Sequence, residues 1–328
     1  MSATVTPISR GRRRTSAPKN KPLRPQGAPL PGLIESWQIS LDAASKSDKT
    51  IRSYTDTARA FHRWARKNNV PDDAENIEAP HIRRFLIAER ERTSAATAAT
   101  HFRNLRVFFN WLIREKERTW ESPVMAADAP NVPNKVRKYL TDDDLTALLK
   151  ACAGNDFESR RDTAIIRIFM DNGVRVSGLA NILTEDLDLK GRKIKIRLKG
   201  GDEFWAPIGV KAVHAIDRYL RIRAAHPKAG RSPWLWLGVQ GRGTSHLGHS
   251  GVRAMLRRRG EEAEIEKVTP HRFRGSVTHQ LLAAGANDGD VQQILGWRSR
   301  EMVYRYAGEL AADRARETHA RLSPGDRI

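Results

Sequence analysis

Residues 122–138, SPVMAADAPNVPNKVRK, carry Pro123, Pro130 and Pro133 without any apolar period, and they stand between two long periodic stretches. Proline removes an amide donor and biases the residue before it away from helix, so neither a helix nor a central strand runs through such a segment. A chain of 328 residues interrupted in this way folds as two units rather than around one core. The segment is read as a linker, with one unit at 33–121 and a second at 139–328.

The first unit is expected to be helical throughout. Ile51, Tyr54, Ala58, Phe61 and Trp64 recur at spacings of three and four, which puts them on one stripe of a helix ending near Asn68 and Asn69. His81 to Arg92 repeats the pattern with Ile82, Phe85 and Leu86 inward, and Ser94 caps a further helix whose core side is Phe102, Leu105, Phe108, Phe109 and Leu112. Ahead of this unit, residues 1–32 hold Arg10, Arg12, Arg13, Arg14, Lys19, Lys21 and Arg24 among six prolines, with no acid before Glu35. Such a stretch has too little apolar surface to order itself, so a flexible basic tail is expected. It could grip a polyanion or be an idle start, and both readings stay open.

In the second unit, Thr141 and Asp144 form a capping-box pattern ahead of Leu145, Leu148 and Leu149. Ile165, Ile166, Ile168, Phe169 and Met170 make a strongly apolar helix that Asn172 and Gly173 stop, leaving Arg175 just past its end. Strict alternation from Lys193 to Leu198 predicts a half-buried strand, Lys199 to Asp202 a turn, and Phe204 to Ile208 the returning strand. Helices follow over 211–225, 248–259, 270–284 and 288–295, and from 301 onward. The fold class is therefore mainly α with a small β-sheet in the second unit.

Fifty-eight Lys and Arg against 38 Asp and Glu leave a net charge of +20. An excess of this size suits a polyanionic partner, nucleic acid before a membrane; a merely basic soluble protein is the rival reading. Cys152 is the sole cysteine, which excludes a disulfide framework and a cysteine-based zinc site. His214, His226, His246, His249 and His279 lack metal-ligand spacing, so neither a metal nor a cofactor is expected. Without a spanning apolar run or a secretion signal, a soluble cytoplasmic protein is expected.

Several residues could serve phosphate chemistry, and each also has a plain structural reading. Arg175 could cap a helix end, Lys199 could be a solvated turn residue, His271 a hydrogen bonder at a helix start, and Trp297 a packed core residue. Register ties them together. The motif HRFRG (His271, Arg274) precedes LGW (Trp297), and Tyr306 stands nine residues after that tryptophan. Upstream lie DNGVRVSGLANI, with Arg175, and KIKIRLKGGDEFWAPI, with Lys199. These stretches, in this order, resemble the tyrosine recombinase or lambda integrase family, in its simple phage integrase or Xer-like form. The resemblance spans about residues 35 to 310.

The resemblance implies a helical SAM-like core-binding domain joined to an α/β catalytic domain, the two forming a C-shaped clamp around duplex DNA. Lys46, Lys49, Arg52, Arg103 and Arg106 on the outer faces of the first unit would grip DNA, although for each taken alone a plain solvated face is the stronger reading. Arg175 and Arg274 would hold phosphate oxygens with planar guanidinium forks. Lys199 would protonate the leaving sugar oxygen, and His271 would accept the tyrosine proton or donate to a nonbridging oxygen. Trp297, where many relatives carry a second histidine, would wall the site or donate one hydrogen bond. Tyr306, rather than Tyr304, would attack to form a 3′-phosphotyrosyl link on the way to a Holliday junction.

The implied partners are a double-stranded attachment or recombination site, further copies of the chain as a tetramer on two DNA sites, and a directionality or host DNA-bending factor. The C-terminal segment GELAADRARETHARL would dock on a neighbouring subunit. One position departs from the pattern: Gly178 stands where the family usually has a carboxylate three residues after the first arginine, with Glu185 or Asp186 as conceivable substitutes. That departure motivates an alternative, a catalytically inactive DNA-binding or architectural protein of the same fold. A type IB topoisomerase, sharing the chemistry, is a third reading.

Overall fold

The computed structural model describes residues 27–133, 138–197, 201–239, 246–307, 311–323 and 325–327. The chain divides into two units, Met1–Lys135 and Val136–Ile328.

The first unit consists of α1 (Leu30–Ala43), α2 (Asp48–Lys67), α3 (Ala79–Arg92) and α4 (Ala95–Arg114). Ser47 and Ser94 accept the backbone amides of Thr50 and Thr97, satisfying otherwise orphaned donors at the starts of α2 and α4. The helical stripes meet in an aromatic core where Trp37, Phe61, Phe85, Phe108 and Phe109 are fully buried. Each such ring contributes about 1.5–3 kcal/mol by leaving water. Trp111 adds its ring to the cluster and donates its indole N–H to Ser40 Oγ at 3.1 Å, so its polar end is satisfied as well.

Part of the stretch expected to be tail is folded into the first unit. Leu30 opens α1 and is fully buried, Pro31 sits in the first turn where its missing amide costs nothing, and Ala28 O accepts the Ala74 amide. The arginines and lysines of the expected tail lie outside the described residues. The linker also differs from a free tether: Val124 is buried in the core of the first unit and Asp128 pairs with Arg83 at 2.8 Å.

The second unit runs α5 (Asp142–Ala151), α6 (Phe157–Asn172), α7 (Val176–Ala180), β1 (Leu187–Asp188), β2 (Lys193–Arg197), β3 (Glu203–Pro207), α8 (Val210–Ala224), α9 (His249–Glu262), α10 (Pro270–Ala283), α11 (Asp288–Ile294), α12 (Glu301–Ala307) and α13 (Ala311–Leu322). The three strands form one antiparallel sheet in the order β1-β2-β3, with Ile194 opposite Ala206 and Lys195 opposite Trp205. Ile194, Ile196 and Ala206 point into the core, as the alternation requires. Two residues of β1 and five of α7 are too short to carry a period, which is why the sequence leaves them unmarked.

Beneath the surface of this unit lies a charged knot. Asp162 on α6 is fully buried and accepts from Arg161 (2.8 Å), Arg258 (2.9 Å) and Arg259 (3.0 Å). Arg161 also donates to Leu237 O, and Arg259 to Ala151 O, so the knot joins α6, α9 and the end of α5. Among the described residues, no helix is long and apolar enough to cross a membrane.

Candidate active site

Three chain turns bring the site together. Helix α6 ends at Gly173, whose φ of +52° suits glycine, and a Cβ there would lie 2.8 Å from Arg274 Cα. The turn is locked by Asn172, which donates to Pro207 O and accepts from the Val174 amide, leaving Arg175 as the exposed N-cap of α7. Thr269 caps α10 and sets His271 and Arg274 in its first turns. Gly296 has φ +59° and touches Phe204 of β3 so closely that a Cβ would fall 2.5 Å from its ring, and Trp297 follows directly.

Around Tyr306 these turns converge. The Tyr306 hydroxyl is 3.4 Å from His271 Nδ1, and its ring stacks on Trp297 with centroids 5.3 Å apart and planes 18° from parallel. The Arg274 guanidinium lies 4.7 Å over the Trp297 ring and donates to Gly173 O (2.8 Å) and Leu295 O (2.7 Å). Those two bonds leave further N–H groups of the five-donor fork for a ligand. Trp297 is buried, yet its indole N–H has no acceptor among the described residues. Tyr304, the rival phenol, is 60 % exposed, against 3 % for Tyr306.

The electrostatics of the site favour an anion. Burial, reinforced by the nearby charge of Arg175 and opposed by Tyr306, pushes Arg274 down to about 9. It still holds its proton at neutral pH. No ion pair neutralises Arg175 or Arg274 among the described residues, so an arriving phosphate would relieve their mutual repulsion. Cys152 is buried and its thiol is pushed up to about 12 by that burial, which makes it a poor nucleophile.

Lys199 lies outside the described residues. Close to it in the chain, Asp202, just before β3, pairs with Arg298, next to Trp297, while Arg197 of β2 pairs with Glu203 of β3 at 3.2 Å. The proposed substitutes for the family carboxylate are engaged elsewhere. Asp186 accepts from Arg197 and from the Leu183 amide, and Glu185 sits 3.7 Å from Arg197, so neither serves Arg175.

Gly178 has a packing reason of its own, since a Cβ there would fall 2.8 Å from Ile196 Cγ2 on β2. Restoring the carboxylate as Gly178→Asp is therefore expected to lower stability by about 1–3 kcal/mol through overpacking, without raising activity. Urea unfolding checks the first part; unchanged stability would show that the crevice opens.

Lys46, Lys49, Arg52, Arg103 and Arg106 are all exposed. Lys46 precedes α2, and Lys49 and Arg52 lie in its first turns, while Arg103 and Arg106 ride on α4, which Asn104 ties to α2 by bonds to Ser53 O (3.0 Å) and Thr57 Oγ1 (2.9 Å). Two residues close to the site escaped sequence reasoning. Arg272 lies inside HRFRG without being singled out and Tyr139 carries no motif, and their roles depend on contacts between segments far apart in the chain.

A mainly helical chain with a three-stranded sheet and a phenol among imidazole, indole and guanidinium groups defines a class. The chain belongs to the phage integrase family of tyrosine recombinases: the phage integrase family model matches residues 138–312, and the N-terminal SAM-like domain model of the same family matches residues 34–116. Within that family it is a site-specific recombinase of the Xer-like type. It is 28 % identical to tyrosine recombinase XerC of Syntrophus aciditrophicus over 89 % of this chain and 97 % of that one. It is 30 % identical to XerC of Thermodesulfovibrio yellowstonii over 79 % and 85 % of the two chains.

In fold it is similar to the XerH recombinase bound to its palindromic difH substrate after cleavage, with a TM-score of 0.69 at 19 % identity, covering 88 % and 83 % of the chains. A lambda integrase tetramer bound to a Holliday junction matches with a TM-score of 0.66 at 18 % identity, covering 87 % and 84 %. None of these relatives favours the inactive alternative.

Proposed function

We propose that this chain cuts and rejoins duplex DNA through Tyr306. The observation that carries the reading is the Tyr306 hydroxyl set against His271, on a ring stacked beside Arg274. In the forward step the phenol oxygen attacks the phosphorus in line, its proton passes to His271, and the bond from phosphorus to the sugar 5′ oxygen breaks. Lys199 supplies the proton that makes the leaving group a 5′ hydroxyl. Arg175 and Arg274 hold the nonbridging oxygens as charge builds on them, and the orphaned indole N–H of Trp297 suits one more such oxygen. Attack by a 5′ hydroxyl from another strand reverses the sequence, so the bond energy is kept and no nucleotide triphosphate is consumed.

The exposed cations of α2 and α4 would hold the DNA backbone, and two DNA sites would be brought together by four copies of the chain. Similarity to a tetramer on a Holliday junction supports this assembly, which would work on cytoplasmic DNA with a bending or directionality factor. Covalent capture tests the reading. The chain is incubated with a library of random-sequence duplexes bearing staggered nicks and denatured, and the attached DNA is sequenced and the modified residue mapped. DNA on Tyr306 is expected; DNA on Tyr304, or on no residue, overturns the assignment.

A further inference from the structure

Helix α10 carries His271 and Arg274 toward Tyr306, while Arg272, Gly275, Ser276, His279 and Gln280 recur along it at spacings of three and four and so share another side. Residues 138–142 are strapped along that side for about two turns. Arg272 donates Nε to Lys138 O (3.0 Å) and Nη2 to Tyr139 O (3.1 Å), with Nη1 on Glu266 O. The Leu140 amide donates to Ser276 Oγ at 2.6 Å, and Gln280 Nε2 to Asp142 Oδ1 at 2.9 Å. The Tyr139 ring lies 4.7 Å from the His279 ring.

Strap and nucleophile meet at Gly275. A Cβ on this residue would be 3.2 Å from Tyr139 Cε1 and 3.5 Å from Tyr306 Cε1, so both rings close over the same bare Cα. Alanine is the better helix former, and glycine in mid-helix is explained here by that close approach. We propose that Tyr139 is a positioning residue for Tyr306: acting across Gly275, its half-buried ring walls the Tyr306 ring into the orientation that presents the hydroxyl to His271. The inference rests on Tyr306 as the nucleophile, and a displaced nucleophile loses rate steeply, on the order of a hundredfold per ångström.

The test combines a DNA-free and a DNA-dependent readout. In the full chain labelled with 3-fluorotyrosine, the Tyr306 fluorine resonance is identified by its loss in Tyr306→Phe. Tyr139→Ala is expected to shift that resonance and to slow adduct formation, on the duplex recovered by covalent capture, by on the order of tenfold with DNA binding unchanged. Tyr139→Phe, which keeps the ring, restores both. Gly275→Ala drives a methyl against the Tyr139 ring and slows cleavage too, whereas in the Tyr139→Ala background the same methyl has room beside Tyr306, so the double variant cleaves faster than either single one.

The double variant also serves where Tyr139→Ala alone lowers stability. An unmoved Tyr306 resonance in Tyr139→Ala, or additive losses in the double variant, overturns the proposal. If capture labels a residue other than Tyr306, the functional reading falls, while the fluorine shift still decides whether Tyr139 positions this ring.

Discussion

Tyr306→Phe binds DNA as the unsubstituted chain does and forms no covalent adduct with it. Only the phenolic oxygen is removed: the phenyl ring keeps its stack on Trp297 and its place in the cluster with Leu282, Val291, Leu295 and Val303, so α12 stays seated. What disappears is the atom 3.4 Å from His271 Nδ1. Removing a nucleophile from a cooperating set costs roughly a millionfold in rate in the best-studied hydrolases, which places the variant below detection. The measurement is adduct yield on the captured duplex beside a binding assay on the same DNA. Tyr304→Phe, altering an exposed residue outside the site, is the control and retains the wild-type yield. An adduct at normal yield from Tyr306→Phe would reassign the nucleophile.

The second large effect concerns stability. Asp162→Ala is expected to destabilise the second unit by about 3–5 kcal/mol, because it leaves guanidinium groups buried without their counter-ion. Arg161 is 2 % exposed and Arg259 8 %, and both aim their Nε and Nη2 atoms at this one carboxylate. Glu158 and Glu262 pair with the same arginines from the rim, but both are more exposed and neither reaches the centre of the knot. Urea unfolding followed by circular dichroism reads the change as a lower midpoint with an unchanged slope. A loss below about 1 kcal/mol would show that apolar packing alone holds α9 on α6.

Legibility followed the length scale of each signal. Helices α2, α3, α4 and α6 were readable because an apolar residue every three or four positions is a local property, and the caps at Ser94, Thr141 and Gly173 stand at the ends where they were expected. Strands β2 and β3 were readable from alternation. The start of α1 was not, because the prolines that suggested a tail are tolerated in the first turn of a helix. The docking of Val124 and Asp128 against the first unit was equally hidden, since a buried position inside an aperiodic segment leaves no period to find.

At the site, the order of His271, Arg274, Trp297 and Tyr306 along the chain was visible as a register. Whether Trp297 packs or donates was not, and the structure shows it doing the first while keeping its N–H without an acceptor among the described residues. Gly178 read as a gap in the catalytic set; contact with Ile196 explains it as a packing requirement.

Sequence by itself determined the two-unit plan, the helical class, the family register and the basic charge, because each is written in residue types at short spacing. Only the tertiary structure decided which charged residues leave the surface. The runs Arg160–Asp162 and Arg257–Arg259 look like ordinary solvated stretches, yet they enclose a fully buried carboxylate. Likewise nothing near Tyr139 in the chain marks it as a neighbour of Tyr306 or as the partner of Arg272. Pairings of this kind depend on packing between segments far apart in the chain, 96 and 97 residues for Asp162 with Arg258 and Arg259 and 133 for Tyr139 with Arg272, and a charge or a ring carries no local signature of the partner it will meet.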